Sequence, residues 1–258
     1  PSTGGSPSTG GSPSTGGLPS EGGVATSGGS ASEGGTATSG GTIGDGGVTT
    51  GGGGSGSTRA ACKRGLGYGY HSVADLTALS AGVSWWYNWA FEPDAALRGG
   101  AYRSLDVEYV PMIWGPGSDL AAAAGEIPED AAALLGFNEP NKADQANMTV
   151  ADAIGLWPDL TSDPSIRVGS PAVSDDGRAW LEEFMAEAQT RDLRVDFVAM
   201  HWYGWNAGSC VASQLEGAVN WASQWGLPVW ITEFGCMGSS NTDEQTNSVI
   251  QTGRDRKS

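Results

Sequence analysis

Two glutamates in this sequence end apolar runs of the same design. One run is Leu134-Leu135-Gly136-Phe137-Asn138-Glu139-Pro140-Asn141 and the other is Pro228-Val229-Trp230-Ile231-Thr232-Glu233-Phe234-Gly235. Each reads as a buried strand that stops at a carboxylate. Two carboxylates delivered to one rim of a fold are the minimal apparatus for cleaving a glycosidic bond, one protonating the leaving oxygen and the other, ionised, attacking carbon. A single glutamate at a strand end is more simply an ion-paired or solvated residue, but the neighbours here favour chemistry. The Asn138 amide could donate to a sugar hydroxyl, and Pro140 would stop the strand and fix the turn. His201, Trp202 and Tyr203 end another apolar run, where one of them could hold a glutamate in place, and Tyr203 suits a hydrogen-bond donor to a nucleophilic carboxylate; a satisfied core histidine is the plain alternative for His201. With His71 and His201 as the two histidines, and no nucleophile-elbow context around any Ser or Cys, no catalytic metal or cofactor is expected.

Tryptophans give a second signal. Trp85, Trp86, Trp89, Trp114, Trp202 and Trp205 fall near the ends of apolar runs, where flat aromatic faces could bury the C–H faces of sugar rings. Core packing accounts for most tryptophans in proteins, so only part of this set is expected to line a groove. Trp180, Trp221 and Trp225 fall in helical patterns and are read as packing.

The elements that must position these residues alternate. Strand patterns cover 64–70, 83–89, 107–114, 134–139, 166–170, 196–203 and 227–234. Helical patterns cover 73–79, opened by Ser72 as N-cap, then 119–124, 150–160, 179–190 and 213–225. Strand–helix alternation calls for a parallel sheet with helical crossovers, and near-continuous apolar strands with polar ends favour a (β/α)8 TIM-type barrel, with catalytic groups at the carboxyl-terminal rim. A doubly wound sheet competes, but no G-x-G-x-x-G follows the first strand to support its dinucleotide-binding form. After Glu233 one helix is expected, over 242–251, and no strand pattern follows it; the barrel is therefore expected to be truncated after the seventh βα unit.

Residues 1–58 form a different domain, a linker built on a Gly/Ser/Thr-rich hexad repeat such as PSTGGS. It lacks the apolar residues that a β-helix would stack inside, so the expectation is disordered coil with an r.m.s. reach of about 40 Å. Residues 59–258 are the barrel domain. Such a tether suits an extracellular protein, associated with a cell wall or other surface. The net charge of -16 argues against nucleic acid and anionic membranes, and no apolar run is long enough to insert in a bilayer. A neutral ligand and a monomer are expected. Of three cysteines, Cys210 and Cys236 follow successive strands by similar distances and are the disulfide candidates, leaving Cys62. Asn147-Met148-Thr149 is a glycosylation sequon, and Asp175, Asp176 and Asp243 are either calcium ligands or, more commonly, turn and cap residues.

These motifs carry a resemblance. Lys63-Arg64-Gly65-Leu66, Trp85-Trp86-Tyr87-Asn88-Trp89, Val110-Pro111-Met112-Ile113-Trp114-Gly115, Gly136-Phe137-Asn138-Glu139-Pro140-Asn141, Val168-Gly169-Ser170-Pro171, His201-Trp202-Tyr203-Gly204 and Trp230-Ile231-Thr232-Glu233-Phe234-Gly235-Cys236 resemble the catalytic domain of glycoside hydrolase family 128, secreted clan A enzymes that cleave β-1,3-glucan. The resemblance spans roughly 62–250 and implies a retaining mechanism with Glu139 as acid/base and Glu233 as nucleophile, carboxyl groups about 5–5.5 Å apart. Asn138 would contact the sugar beside the cleaved bond. With it, Asn88, Trp85, Trp86, Trp114, His201, Trp202 and Tyr203 make up the candidate substrate-binding set. Two competing expectations are a non-catalytic carbohydrate-binding or cell-wall protein derived from such a barrel, and a hydrolase of another β-glycan.

Overall fold

The computed structural model describes residues 64–255 apart from 70–71, 118–119, 121–122, 124–125 and 239–241. The expected coil over 1–58, Cys62, His71 and much of the helical pattern at 119–124 lie outside the described residues.

Seven strands and five α-helices follow one another among the described residues: β1 Gly65–Gly67, α1 Val73–Leu79, β2 Trp85–Tyr87, β3 Glu108–Tyr109, β4 Ala133–Leu134, α2 Val150–Leu160, β5 Arg167–Val168, α3 Arg178–Thr190, β6 Val198–Gly204, α4 Ala212–Ala222, β7 Val229–Cys236 and α5 Asp243–Asp255. Short 3-10 turns at Ala101–Leu105 and Ser223–Trp225 were not foreseen from pattern; the second is the final turn of what reads in sequence as one helix to Trp225. Helix α1 begins as its cap residue predicts, with the Ser72 side chain accepting from Asp75 N and the Asp75 side chain answering at the Ser72 backbone. Helix α2 opens on the same box, Thr149 with Asp152.

Every strand pair is parallel and follows chain order. β1 pairs with β2, β2 with β3, β4 with β5 and β6 with β7. Single parallel bridges, Met112 to Leu135 and Gly169 to Phe197, link these groups into one succession, and β7 returns to within 8 Å of β1 between Cα atoms. The regular strands are shorter than the apolar runs, which continue as extended chain held by bridges such as Asn138 to Ala172 and Val173 to Met200.

Both faces of the strands are covered, as parallel strands require. On the outer face Leu134, Phe137, Val168, Val198, Met200 and Trp202 pack with Trp157, Leu181, Phe184 and Leu215 of the helices. On the inner face Tyr87, Val110, Met112, Ala133, Leu135, Phe197 and Ala199 meet one another. Trp157 anchors the outer layer: it is fully buried, edge-on to Phe137 and Phe184, and its indole N–H donates to Arg194 O at 2.8 Å.

Candidate active site

Strand alternation decides which side chains reach the interior. Along β6, Phe197 and Ala199 point inward while Val198, Met200 and Trp202 join the outer core, so His201 and Tyr203 continue the inward series. The same alternation would send Glu233 outward, because Trp230 stacks on the inward Phe197 and Ile231 packs with the outer core. A β-bulge prevents this. Met200 pairs with Ile231 but His201 pairs with Glu233, leaving Thr232 as an extra residue on β7. Thr232 is buried, and its hydroxyl lies 3.4 Å from Met200 O. The bulge re-aims Glu233 to the face that carries His201 and Tyr203.

Glu139 arrives by another irregularity. Its φ is 41°, in the left-handed region that costs a non-glycine residue on the order of 1–3 kcal/mol. The surrounding hydrogen bonds fix it there: Glu139 N donates to Ala172 O at 2.8 Å and Glu139 O accepts from Lys142 N at 2.9 Å.

The two glutamates and the histidine meet. One carboxylate oxygen from each glutamate and a ring nitrogen of His201 lie within 4.8 Å of one another. His201 Nδ1 is 2.9 Å from Glu139 Oε1, and Nε2 is 3.5 Å from Glu233 Oε1. The second contact is close enough for charge interaction but lacks hydrogen-bond alignment, and Nε2 has no other partner among the described residues. The imidazole is fully buried, whereas both carboxylates keep 16% of their side-chain surface open. Glu233 is the more heavily solvated by protein donors. Tyr203 Oη donates to Oε2 at 2.7 Å, Trp89 Nε1 to Oε1 at 2.7 Å and Tyr87 Oη to Oε1 at 3.2 Å. Burial first, and the Glu233 charge second, push the Tyr87 phenol well above its ordinary range; burial and the hydrogen bond to Glu233 do the same for Tyr203. Both hydroxyls therefore remain donors.

The remaining candidates divide. Asn138 is buried near Glu139, its Nδ2 donating to Gln145 Oε1 at 3.1 Å and its Oδ1 without a partner among the described residues. Trp114 is partly exposed just beyond β3, and Trp205, 61% exposed, stands beyond β6 with its ring 5.8 Å from Tyr203. Trp85 lies over Gly65, whose missing Cβ leaves the room, and packs on Trp230 with centroids 5.2 Å apart, lower in the interior than the carboxylates. Trp86 and Trp202 are not brought to the site: each occupies the outward position of its strand, Trp86 against Tyr102 and Tyr109, Trp202 in the helix-facing core. Asn88 is engaged by the protein itself, accepting from Tyr109 Oη at 2.7 Å and donating to Glu92 O at 3.2 Å. It thereby folds the turn on which Trp89, with φ of 59°, swings toward Glu233. Tyr87 is the site residue that sequence reading missed; its inward parity with Trp85 on β2 was the available signal. Cys210 and Cys236 form a disulfide with Cα atoms 5.5 Å apart, tying the chain after β6 to the end of β7.

Residues 65–254 match the family described as Glycosyl hydrolase catalytic core. An endo-β-1,3-glucanase of family GH128, subgroup II, from Sorangium cellulosum is 36% identical and superposes with a TM-score of 0.63, covering 74% of this chain and 81% of that one. A subgroup I endo-β-1,3-glucanase from Amycolatopsis mediterranei, solved with laminaritriose, is 30% identical with a TM-score of 0.61 over 74% of this chain and 83% of its own. A curdlan-specific exo-β-1,3-glucanase of subgroup III from Blastomyces gilchristii, solved with glucose, is also 30% identical, at 0.54 over 74% and 81%. Alkali-sensitive linkage protein 1 of Schizosaccharomyces pombe is 29% identical over 181 residues, which are 67% of this chain but 31% of that protein. The chain therefore spans about a third of the length of that curated relative. It belongs to glycoside hydrolase family 128, a family whose solved relatives are O-glycosyl hydrolases with this α/β fold.

Proposed function

We propose that this chain is a secreted, monomeric, retaining hydrolase of β-1,3-glucan, with Glu139 as acid/base and Glu233 as nucleophile. The observation that carries the reading is the meeting of Glu139, His201 and Glu233 with ligating atoms within 4.8 Å. Retaining glycosidases hold their carboxyls about 5–5.5 Å apart, whereas inverting ones leave about 6.5–9.5 Å for a water. The asymmetric donor sets support the division of roles. Glu233 receives three side-chain donors, which hold its carboxylate oxygens in place for attack on carbon. Glu139 faces a single imidazole nitrogen, a hydrogen-bond donor or acceptor according to tautomer. Glu233 attacks the anomeric carbon as Glu139 protonates the departing glycosidic oxygen; Glu139 then takes a proton from water, whose oxygen displaces Glu233 from the sugar. Asn138 Oδ1, buried and unpartnered among the described residues, is suited to accept from a sugar hydroxyl beside the cleaved bond, and the exposed Trp114 and Trp205 faces suit stacking. β-1,3-Glucan is the substrate class named for the three solved enzymes compared above. The seven parallel units are read as the first seven of a (β/α)8-type barrel. Residues 1–58 are read as the extracellular tether of the catalytic domain.

Reducing-sugar release from laminarin by the purified chain tests this. The wild type is expected to release sugar, and Glu139→Gln and Glu233→Gln proteins that remain folded are expected to lose activity by several orders of magnitude. Glucan retention without turnover by a folded wild-type chain would favour a non-catalytic binding protein instead.

A further inference from the structure

Three consecutive residues after β5, Ser174, Asp175 and Asp176, grip the turn that carries Glu139 and the end of β6, whose Tyr203 holds Glu233. On one side is the turn that begins at Glu139. Asn141 Nδ2 donates to Ser174 Oγ at 2.6 Å and to Asp176 Oδ1 at 3.0 Å, and Asn141 Oδ1 accepts from Ser174 N at 3.2 Å. Lys142 Nζ adds an ion pair to Asp176 Oδ2 at 2.7 Å, and Ser174 Oγ closes the cluster on Asp176 Oδ1 at 2.7 Å. Gly177 lets these groups approach, since a Cβ there would sit 2.6 Å from Asn141 Cγ and 2.7 Å from Val173 Cβ. On the other side is the end of β6. Asp175 accepts from Tyr203 N at 3.2 Å and from Trp205 Nε1 at 3.2 Å. Tyr203 is the residue whose hydroxyl holds Glu233 Oε2. Asp175 and Asp176 thus direct their carboxylates at protein N–H and O–H donors, which accounts for both without a calcium ion.

We propose that Ser174-Asp175-Asp176 is a positioning clasp with two separable arms. The Asn141 arm sets the aim of Glu139, and the Asp175 arm sets the aim of Tyr203 and through it Glu233. The proposal rests on the roles assigned to the two glutamates above. The Glu139 arm needs such a device because its backbone is held in a disfavoured conformation, and a strained residue persists only where its surroundings over-determine it. Asn141 is not free to bind sugar, because both ends of its amide are occupied within the clasp.

The two arms make different predictions for two substrates. Laminarin has a poor leaving group and needs the acid; a dinitrophenyl β-laminarioligoside leaves without protonation, so its kcat/KM reports nucleophilic attack alone. Asn141→Ala and Asp176→Ala are expected to lower kcat/KM on laminarin about 10- to 100-fold, the scale of a misplacement near 1 Å. Their loss on the dinitrophenyl substrate is expected to be smaller by about tenfold. Asp175→Ala is expected to lower both substrates by the same factor. Melting temperatures report folding, and Asp176, exposed, gives a variant that does not depend on core packing. Equal losses on both substrates in Asn141→Ala and Asp176→Ala would overturn the clasp while leaving the hydrolase reading intact. A folded wild type that cleaves neither substrate would overturn the hydrolase reading, and with it any catalytic meaning of the clasp.

Discussion

Replacing Tyr203 by Phe removes one oxygen from the site and leaves the ring that abuts Trp205. The lost interaction is a hydrogen bond of 2.7 Å from a phenol to Glu233 Oε2, the described side-chain donor to that oxygen. Hydrogen bonds to charged groups contribute about 1.5–3 kcal/mol. At 1.36 kcal/mol per factor of ten, this corresponds to a fall of about 10- to 150-fold in kcat/KM. Two features place the effect in the lower half of that range. Trp89 and Tyr87 still hold Oε1, and the carboxylate is 16% exposed, so water can approach Oε2 in place of the phenol. The assay is initial-rate hydrolysis of laminarin and of a dinitrophenyl laminarioligoside, with the melting temperature measured alongside. Both substrates are expected to lose the same factor, because both require the nucleophile. A loss under about twofold on both, or a loss confined to laminarin, would refute the role given to Tyr203.

The buried and half-buried phenols make stability depend on alkaline pH. Tyr87, Tyr109 and Tyr203 have values raised above the ordinary 10.0, chiefly by burial, so their contribution is complete below about pH 10 and is lost as pH rises toward the folded values. The melting temperature is expected to fall above pH 10, with phenolate absorbance from these residues appearing together with unfolding; full titration in the folded protein would contradict it. Gly136→Ala is expected to destabilise by about 1–3 kcal/mol in denaturant titration, because a Cβ there would lie 2.9 Å from Gly169 O and 3.1 Å from Pro171 N, both backbone atoms. Trp157→Ala should cost about 3–5 kcal/mol, as it empties the space between Phe137 and Phe184.

Periodicity and capping residues carried much of the fold. The order of strands and helices was legible because each apolar run had its own length and punctuation, and α1 begins at the N-cap residue Ser72. The pairing of Glu139 with Glu233 was legible because both end apolar runs in a parallel succession. Alternation alone would have separated Trp86 and Trp202 from the inward series, since each sits one residue from a side chain of opposite direction. The bulge at Thr232 was not legible: it depends on a register shift between β6 and β7 that nothing local in β7 announces. Tyr87 could be placed on the inward face by its parity with Trp85, but its contact with Glu233 depends on β2 being set across from β7. The work of Asp175 and Asp176 was hidden for the same reason, because their partners come from the turn after Glu139 and from the end of β6.

The central claim is that Glu139 and Glu233 are respectively the acid/base and the nucleophile of a retaining hydrolase. Azide trapping tests it most directly. With a dinitrophenyl laminarioligoside and added azide, a small Glu139 variant such as Glu139→Ala should be accelerated and yield the β-glycosyl azide, whereas Glu233→Ala should yield the α-glycosyl azide, read by proton NMR of the anomeric signal. The reverse assignment of anomers, or no azide product from either folded variant of an active wild type, would contradict the account.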